Sequence, residues 1–190
     1  MASIPDVFVS PEEYLTQERA AQEKSEYVDG RIYAMSGASM HHNLISSNLL
    51  GTLWNQLRGR SCRVFGSDLR ISVRGKRFFY PDISVVCGPA QFHDEQPKDT
   101  VTNPTLVIEI LSESTAAYDK GAKFLSYQGI ASLQEYLMVH QDQALVEHYT
   151  RRSDDSWIYH KVEGLEASVE LPSIECSLKL EEVYLSVFQA

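Results

Sequence analysis

The sequence predicts an α/β fold, in which a mixed sheet carries helices on its faces. Three observations support this. Thr105 to Leu111 is apolar on both faces, as in a strand buried on both sides. Phe78 to Val86 is a second apolar run, and each of the two carries a single acid, Asp82 and Glu109. A helical segment from about Ala116 to Gln128 then separates the Glu109 strand from another strand at Glu135 to His140. A crossover of this kind supports parallel pairing of the strands it joins.

In chain order, Ser10-Pro11-Glu12-Glu13 starts a helix that runs to about Glu23. Ser10 caps it, Pro11 suits the first helical position and Glu13 completes a capping box. Glu26 to Met35 reads as a hairpin with Asp29-Gly30 at its turn. Glu26 faces either the core or water, and water is the default for a strand acid. Ser39 to about Leu57 is a long amphipathic helix, with Leu44, Ile45, Leu49, Leu50, Leu53, Trp54 and Leu57 at helical spacing. Its first turn holds His41 and His42. Adjacent histidines on a helix point about 100° apart, so they lack the chelating geometry of His at i and i+4. A helix-start or packing role is the plainer one for both, and His42 is a secondary site candidate.

Cys62 to Phe65 is a short strand. Leu69, Ile71 and Val73 then alternate with Arg70, Ser72 and Arg74 in a half-buried one, preceded by Asp68. In the Phe78 to Val86 strand, Pro81 removes a ladder donor and marks a bulge or an edge. Asp82 shares its face with Tyr80 and Ser84. Gly88 to Asn103 is a polar loop. After the Glu109 strand, Ser112-Glu113-Ser114-Thr115 leads into the crossover helix, which Gly129 ends. Glu135 to His140 and Ala144 to Arg151 pair across a short turn. Trp157 to Val162 and Ser168 to Leu171 continue an antiparallel meander, and Leu180 to Val187 is a closing helix. No repeat, low-complexity tract or linker divides the chain. Residues 1–190 are expected to form a single domain with a core of about 39–151, an N-terminal helix and hairpin (1–38) and C-terminal strands and helix (152–190).

Composition narrows the function classes. No stretch approaches the ~18 apolar residues of a membrane span, and the N-terminus lacks the pattern of a signal peptide. Cys62, Cys87 and Cys176 are odd in number and widely spaced, which indicates neither a disulfide framework nor a zinc motif. These features together imply a reducing, cytoplasmic setting. The net charge of −9 argues against a surface coated with phosphate-binding residues. Arg58, Arg60, Arg63, Arg70, Arg74, Lys76 and Arg77 nevertheless cluster around the lone acid Asp68. On charge alone this stripe is a solvated hairpin, with a nucleic-acid phosphate contact as the alternative.

The chemistry rests on Asp82 and Glu109. A carboxylate inside an apolar strand must be protonated, paired or bound to a cation, because an unpaired buried charge is very costly. Two acids on neighbouring core strands make an oxygen-rich pocket suited to magnesium, with water and substrate phosphate completing the shell. Two independent structural acids are the other reading. Nearby, Asp119 and Lys123 stand four apart on one helix face, with Lys120 and Tyr127 along the same stripe. A solvated helix face is the plain reading of those lysines. No Ser sits in a nucleophile elbow and no Cys has an evident His partner, so a metal-free acid–base hydrolase lacks support.

The order helix, strand, strand with Pro81-Asp82, strand with Glu109, helix, strand resembles the core of the restriction-endonuclease-like superfamily. Its signature is Pro-Asp, then Asp or Glu, any residue, and Lys. The chain departs from it at Leu111, which stands where the signature places Lys. Tyr80-Pro81-Asp82-Ile83-Ser84-Val85-Val86-Cys87-Gly88, the Asn103 to Ser112 strand, Asp119 with Lys123 and Tyr127, Ser132 to Tyr136, and Val146-Glu147-His148-Tyr149 are similar to the Uma-type family of restriction endonucleases. Glu26 with Gly30, His42 and Asp68 match that family as well.

The resemblance implies a restriction-endonuclease-like core and metal-dependent hydrolysis of DNA. Asp82, Glu109 and the Ile110 carbonyl would hold Mg2+ or Mn2+, and Lys123 would act from the helix with Lys120 as its substitute. Asp119 would set the position of Lys123, while Asp68 or His42 would reach the outer shell of the metal. The alternative is a catalytically inactive nuclease-fold binding or regulatory protein, which Leu111 and the acidic balance favour. The exposed edge of the meander suggests a homodimer as one way to cover it.

Overall fold

The computed structural model describes residues 8–35, 37–112 and 116–188. In chain order it contains α1 (Pro11–Ala20), β1 (Ser25–Val28), β2 (Arg31–Ala34), α2 (Met40–Leu57), β3 (Cys62–Gly66), β4 (Arg70–Val73), β5 (Arg77–Phe79), β6 (Ile83–Cys87), β7 (Thr100–Val101) and β8 (Leu106–Leu111). A helix in three pieces follows: α3 (Ala116–Tyr118), a π turn (Asp119–Lys123) and α4 (Phe124–Tyr127). The chain ends with β9 (Glu135–His140), β10 (Leu145–Arg151), β11 (Trp157–Glu163), β12 (Ser168–Leu171), β13 (Cys176–Lys179) and α5 (Leu180–Val183). Glu113, Ser114 and Thr115, expected to lead into the crossover helix, lie outside the described residues.

The architecture is the mixed α/β one that the sequence predicts. A six-stranded sheet has the order β11-β10-β9-β8-β6-β3, and a five-stranded sheet has the order β2-β1-β5-β4-β7. In the larger sheet only β8 and β9 are parallel, as the intervening helix requires. Strand β8 is buried along its whole length. Leu106, Ile108 and Ile110 face α2, where Ile45, Leu49, Leu53 and Leu57 line up with α5 and β13 in the largest core. Val107 and Leu111 face the other way, with Met138, Tyr136, Phe124 and Tyr127 in a second core. A third, smaller core holds Tyr14, Leu15, Tyr27 and Phe78 between α1 and the five-stranded sheet.

The helix starts follow their local chemistry. Ser10 Oγ accepts from Glu13 N at 3.2 Å, and Glu13 accepts from Ser10 N at 2.9 Å. Ser39 caps α2 by accepting from His42 N at 3.1 Å. Helix α1 stops at Ala20 rather than near Glu23, and Glu18 then accepts from Ser25 N at 3.0 Å as β1 begins. The Asp29-Gly30 turn has both residues at positive φ, 47° and 96°, the backbone of a tight hairpin.

Several expectations fail for physical reasons. Phe78 to Val86 is two strands in two sheets: β5 ends at Phe79, Tyr80-Pro81-Asp82 bends, and β6 starts in the larger sheet. Pro81 can donate no ladder bond, so the chain changes sheets there. Strand β4 is buried on both faces, and its expected outward residues Arg70 and Ser72 are only 1% and 2% exposed. Arg70 is tolerated because its guanidinium reaches Thr100 Oγ1 (2.9 Å), Tyr80 Oη (2.9 Å) and Asp99 (3.0 Å). The basic stripe is thereby dispersed: Arg60 pairs with Glu175 and Arg77 with Asp29.

The meander ends at β11, because β12 pairs with β13 in a separate two-stranded sheet. The closing helix spans only Leu180–Val183. Cys62 and Cys87 form a disulfide, although their number and spacing indicate no disulfide framework, since β3 and β6 set them directly opposite one another. Among the described residues no helix is long and apolar enough to cross a membrane.

Arg70 is a direct test of this packing. Arg70→Ala leaves the Tyr80 hydroxyl and Thr100 without their buried donor and should cost about 2–4 kcal/mol. Urea unfolding should show a lower midpoint with an unchanged slope. An unaltered midpoint would contradict the assigned network.

Candidate active site

The site lies where the two sheets meet the π turn. Strand β8 supplies Glu109 on the face opposite α2. Because Ile83 stands opposite Ile108, continuing the register places Asp82 beside Glu109. The backbone N–H of Ile110 donates to Asp82 Oδ2 at 2.7 Å, which fixes that carboxylate at the edge of the strand. On its other side Asp82 Oδ1 lies 3.1 Å from His42 Nε2, at the first turn of α2. Ser39 ties this helix start to the β9–β10 turn through a 2.6 Å bond to Gln141.

The amine of Lys123 descends from the π turn into this cluster. Its Nζ is 2.9 Å from Glu26 Oε1, 3.0 Å from Glu109 Oε1 and 3.8 Å from Asp119 Oδ1. Tyr127 Oη donates to the same Glu109 oxygen at 3.1 Å. Glu26 arrives from the five-stranded sheet and also accepts from Tyr80 N at 3.1 Å. The other Glu26 oxygen is buried and has no hydrogen-bond partner among the described residues. Lys123 is only 4% exposed and Glu26 1%. A cavity of about 650 Å³ opens onto Glu26, His42, Asp82, Glu109, Ile110 and Lys123.

Acids outnumber cations here, and that sets the electrostatics. Burial pushes the Glu109 carboxyl well above the usual range; Lys123 opposes this, while Asp119, Asp82 and Glu26 add to it. Burial works against the charge of Lys123, but Glu109 and Glu26 outweigh it and hold the amine protonated. Burial also raises the Tyr127 hydroxyl, as does Glu109, so it stays a donor. Among the described residues no three His, Cys, Asp or Glu side chains form a ready cage for an ion. Two carboxylates, a main-chain carbonyl and an open cavity nonetheless match the sparse oxygen set that magnesium accepts. The carboxylate excess and the unmet Glu26 oxygen fit the same cation.

The sequence-derived candidates thus separate. Asp82, Glu109, Ile110, Lys123, Asp119, His42 and Glu26 come together around the cavity, and buried Tyr127 joins them through Glu109. Two others do not. Lys120, which is exposed, turns to Glu147 on β10. Asp68 is 96% exposed and pairs with Lys24 at 2.9 Å. Glu26 was expected to face water, but β1 lies between β2 and β5 and is covered on both faces. The main-chain N–H of Tyr80 went unforeseen, and only the bend at Pro81 hinted at a backbone group released from a ladder.

Comparison with known proteins places the chain. The Uma2 family, described as "Putative restriction endonuclease", matches residues 11–181, and the chain belongs to this family. It is 39% identical over 183 residues to the uncharacterized Synechocystis protein slr1290, covering 96% of this chain and 94% of the relative. A second Synechocystis protein, sll1609, is also 39% identical, over 83% of this chain and 89% of its own. The crystal structure of a "putative nuclease belonging to DUF820" from Anabaena variabilis superposes with a TM-score of 0.78 at 21% identity, covering 95% of this chain and 99% of that one. That likeness establishes the fold.

The raised Glu109 pKa has a defined consequence for stability. The folded chain keeps a proton that the unfolded chain releases above about pH 4.3. Stability from this group is therefore full below that value and is lost as pH rises toward the folded pKa. In chelator, Glu109→Gln should flatten the decline of Tm as pH rises above about 4.3. Equal slopes in wild type and variant would contradict the assignment.

Proposed function

We propose that this chain is a divalent-metal-dependent endonuclease that hydrolyses DNA phosphodiester bonds. The observation that carries the proposal is the buried amine of Lys123, 3.0 Å from Glu109 and facing the same cavity as Asp82. It supplies from a helix the cation that Leu111 does not supply from the strand. Asp82, Glu109 and the Ile110 carbonyl would hold Mg2+ or Mn2+. Bound metal would lower the pKa of an attacking water and neutralise charge on the scissile phosphate.

The chain's own groups do the remaining work. The Ile110 N–H and His42 fix Asp82 before any ligand arrives. Glu26 and Tyr127 orient the amine and carboxylate on either side of their shared contact. Lys123 offers a positive charge to the anionic phosphate without reorganisation during the reaction, which is where preorganised electrostatics contribute most. The proposal includes DNA as substrate, a cytoplasmic setting and a homodimer through the exposed edge of β11, which size-exclusion with light scattering tests.

A second reading is favoured by one observation: the amine is already engaged by two carboxylates, as in a structural ion cluster. In that case the chain is a nuclease-fold binding or regulatory protein.

Cleavage of plasmid DNA with and without chelator separates the two readings. Asp82→Ala and Glu109→Ala should each reduce metal-dependent cleavage to background while remaining folded, and Lys123→Ala should lower kcat about 10²–10³-fold. Millimolar magnesium should raise the Tm of wild type and not of Asp82→Ala. Cleavage that survives both acid variants would remove the assignment.

A further inference from the structure

The π turn assigns a role to a residue outside the cavity. Glu109 on β8, Met138 on β9 and Glu147 on β10 stand opposite one another in a single row of the sheet. The two carboxylates share a face and are two strands apart, about 9–10 Å. Lys123 meets the first and Lys120 the second. In an α-helix, residues three apart are neighbours on one face and would crowd the same acid. The i→i+5 bonding of the π turn inserts an extra residue and turns the two lysines apart.

Two hydrogen bonds reach the carbonyls of this turn, one from the sheet and one from α4. Tyr136 Oη on β9 donates to the Asp119 carbonyl at 3.2 Å, and Ser126 Oγ to the Ala122 carbonyl at 2.7 Å. Gly121 lies inside the turn, where a Cβ would meet nothing within 4 Å. Its small size therefore does not serve packing; what it contributes is weak α-helical preference. Glu147 Oε1 accepts from Lys120 and lies 2.9 Å from His140 Nε2. Burial opposes its ionisation, but Lys120 and His140 together hold its pKa below the ordinary value.

We infer that Glu147 is a positioning residue: by holding Lys120, with His140 behind it, Glu147 keeps the π turn open and so keeps the Lys123 amine on Glu109. The consequence for cleavage rests on the nuclease reading above; the consequence for Lys123 does not. The test uses full-length Glu147→Gln, Lys120→Met and the double variant, each checked for cooperative thermal unfolding. Brief acylation with acetic anhydride followed by peptide mass spectrometry reads the accessibility of Lys123.

Each single variant should label Lys123 about tenfold faster than wild type, and the double no faster than either, because the pair acts as a unit. Lys120→Arg, which keeps the charge, should restore protection. On plasmid DNA, kcat should fall about tenfold with KM within about twofold. Lys123 as protected in all three variants as in wild type would overturn the inference. A wild-type protein that does not cleave would instead remove the nuclease reading, and the labelling would still decide the role of Glu147.

Discussion

A single buried ammonium group organises this molecule. Lys123 sits almost entirely out of water, where an unpaired charge would be prohibitively expensive. Its partners come from different places: Glu26 from the five-stranded sheet, Glu109 from the six-stranded sheet and Asp119 from its own turn. Removing any one leaves the rest badly matched, so this group adds a polar tie between the two sheets and the helix to the hydrophobic core they already share. Hydrophobic cores on both faces of β8 provide the bulk of the burial.

The bend at Tyr80-Pro81-Asp82 follows from the same requirement. It moves the chain from one sheet to the other and uses the released backbone on both sides of the site. Tyr80 N binds Glu26, Tyr80 Oη binds buried Arg70, and Asp82 takes the N–H of Ile110. A continuous strand would have sent the Tyr80 N–H into a ladder. The excess of acid over base around Lys123 is what the proposed divalent cation would offset.

Much of this was legible in the sequence wherever one strong local rule applied. The capping box at Ser10, the hairpin turn at Asp29-Gly30, the amphipathic α2 and the doubly buried β8 each follow from pattern alone. So does parallel pairing of β8 with β9, because a crossover helix leaves little choice. The illegible parts are those decided by tertiary context. Burial of Glu26 and Arg70 depends on which strands flank β1 and β4, and alternation along the chain carries no trace of it. The π turn has no periodic signature, so the sequence puts Lys120 on the same stripe as Lys123, as its substitute, although the two serve different acids. Cys62 and Cys87 are 25 residues apart and meet only through the β3–β6 register.

The central claim is that the carboxylates at the head of β6 and in β8 share one hard cation beneath the Lys123 amine. Crystals soaked in manganese and measured at its absorption edge test it most directly. The account predicts one anomalous peak at about 2.1 Å from oxygens of Asp82 and Glu109, with the Ile110 carbonyl as a third ligand. An empty map at these residues, or a peak bound elsewhere with Asp82 still held by His42, would contradict it.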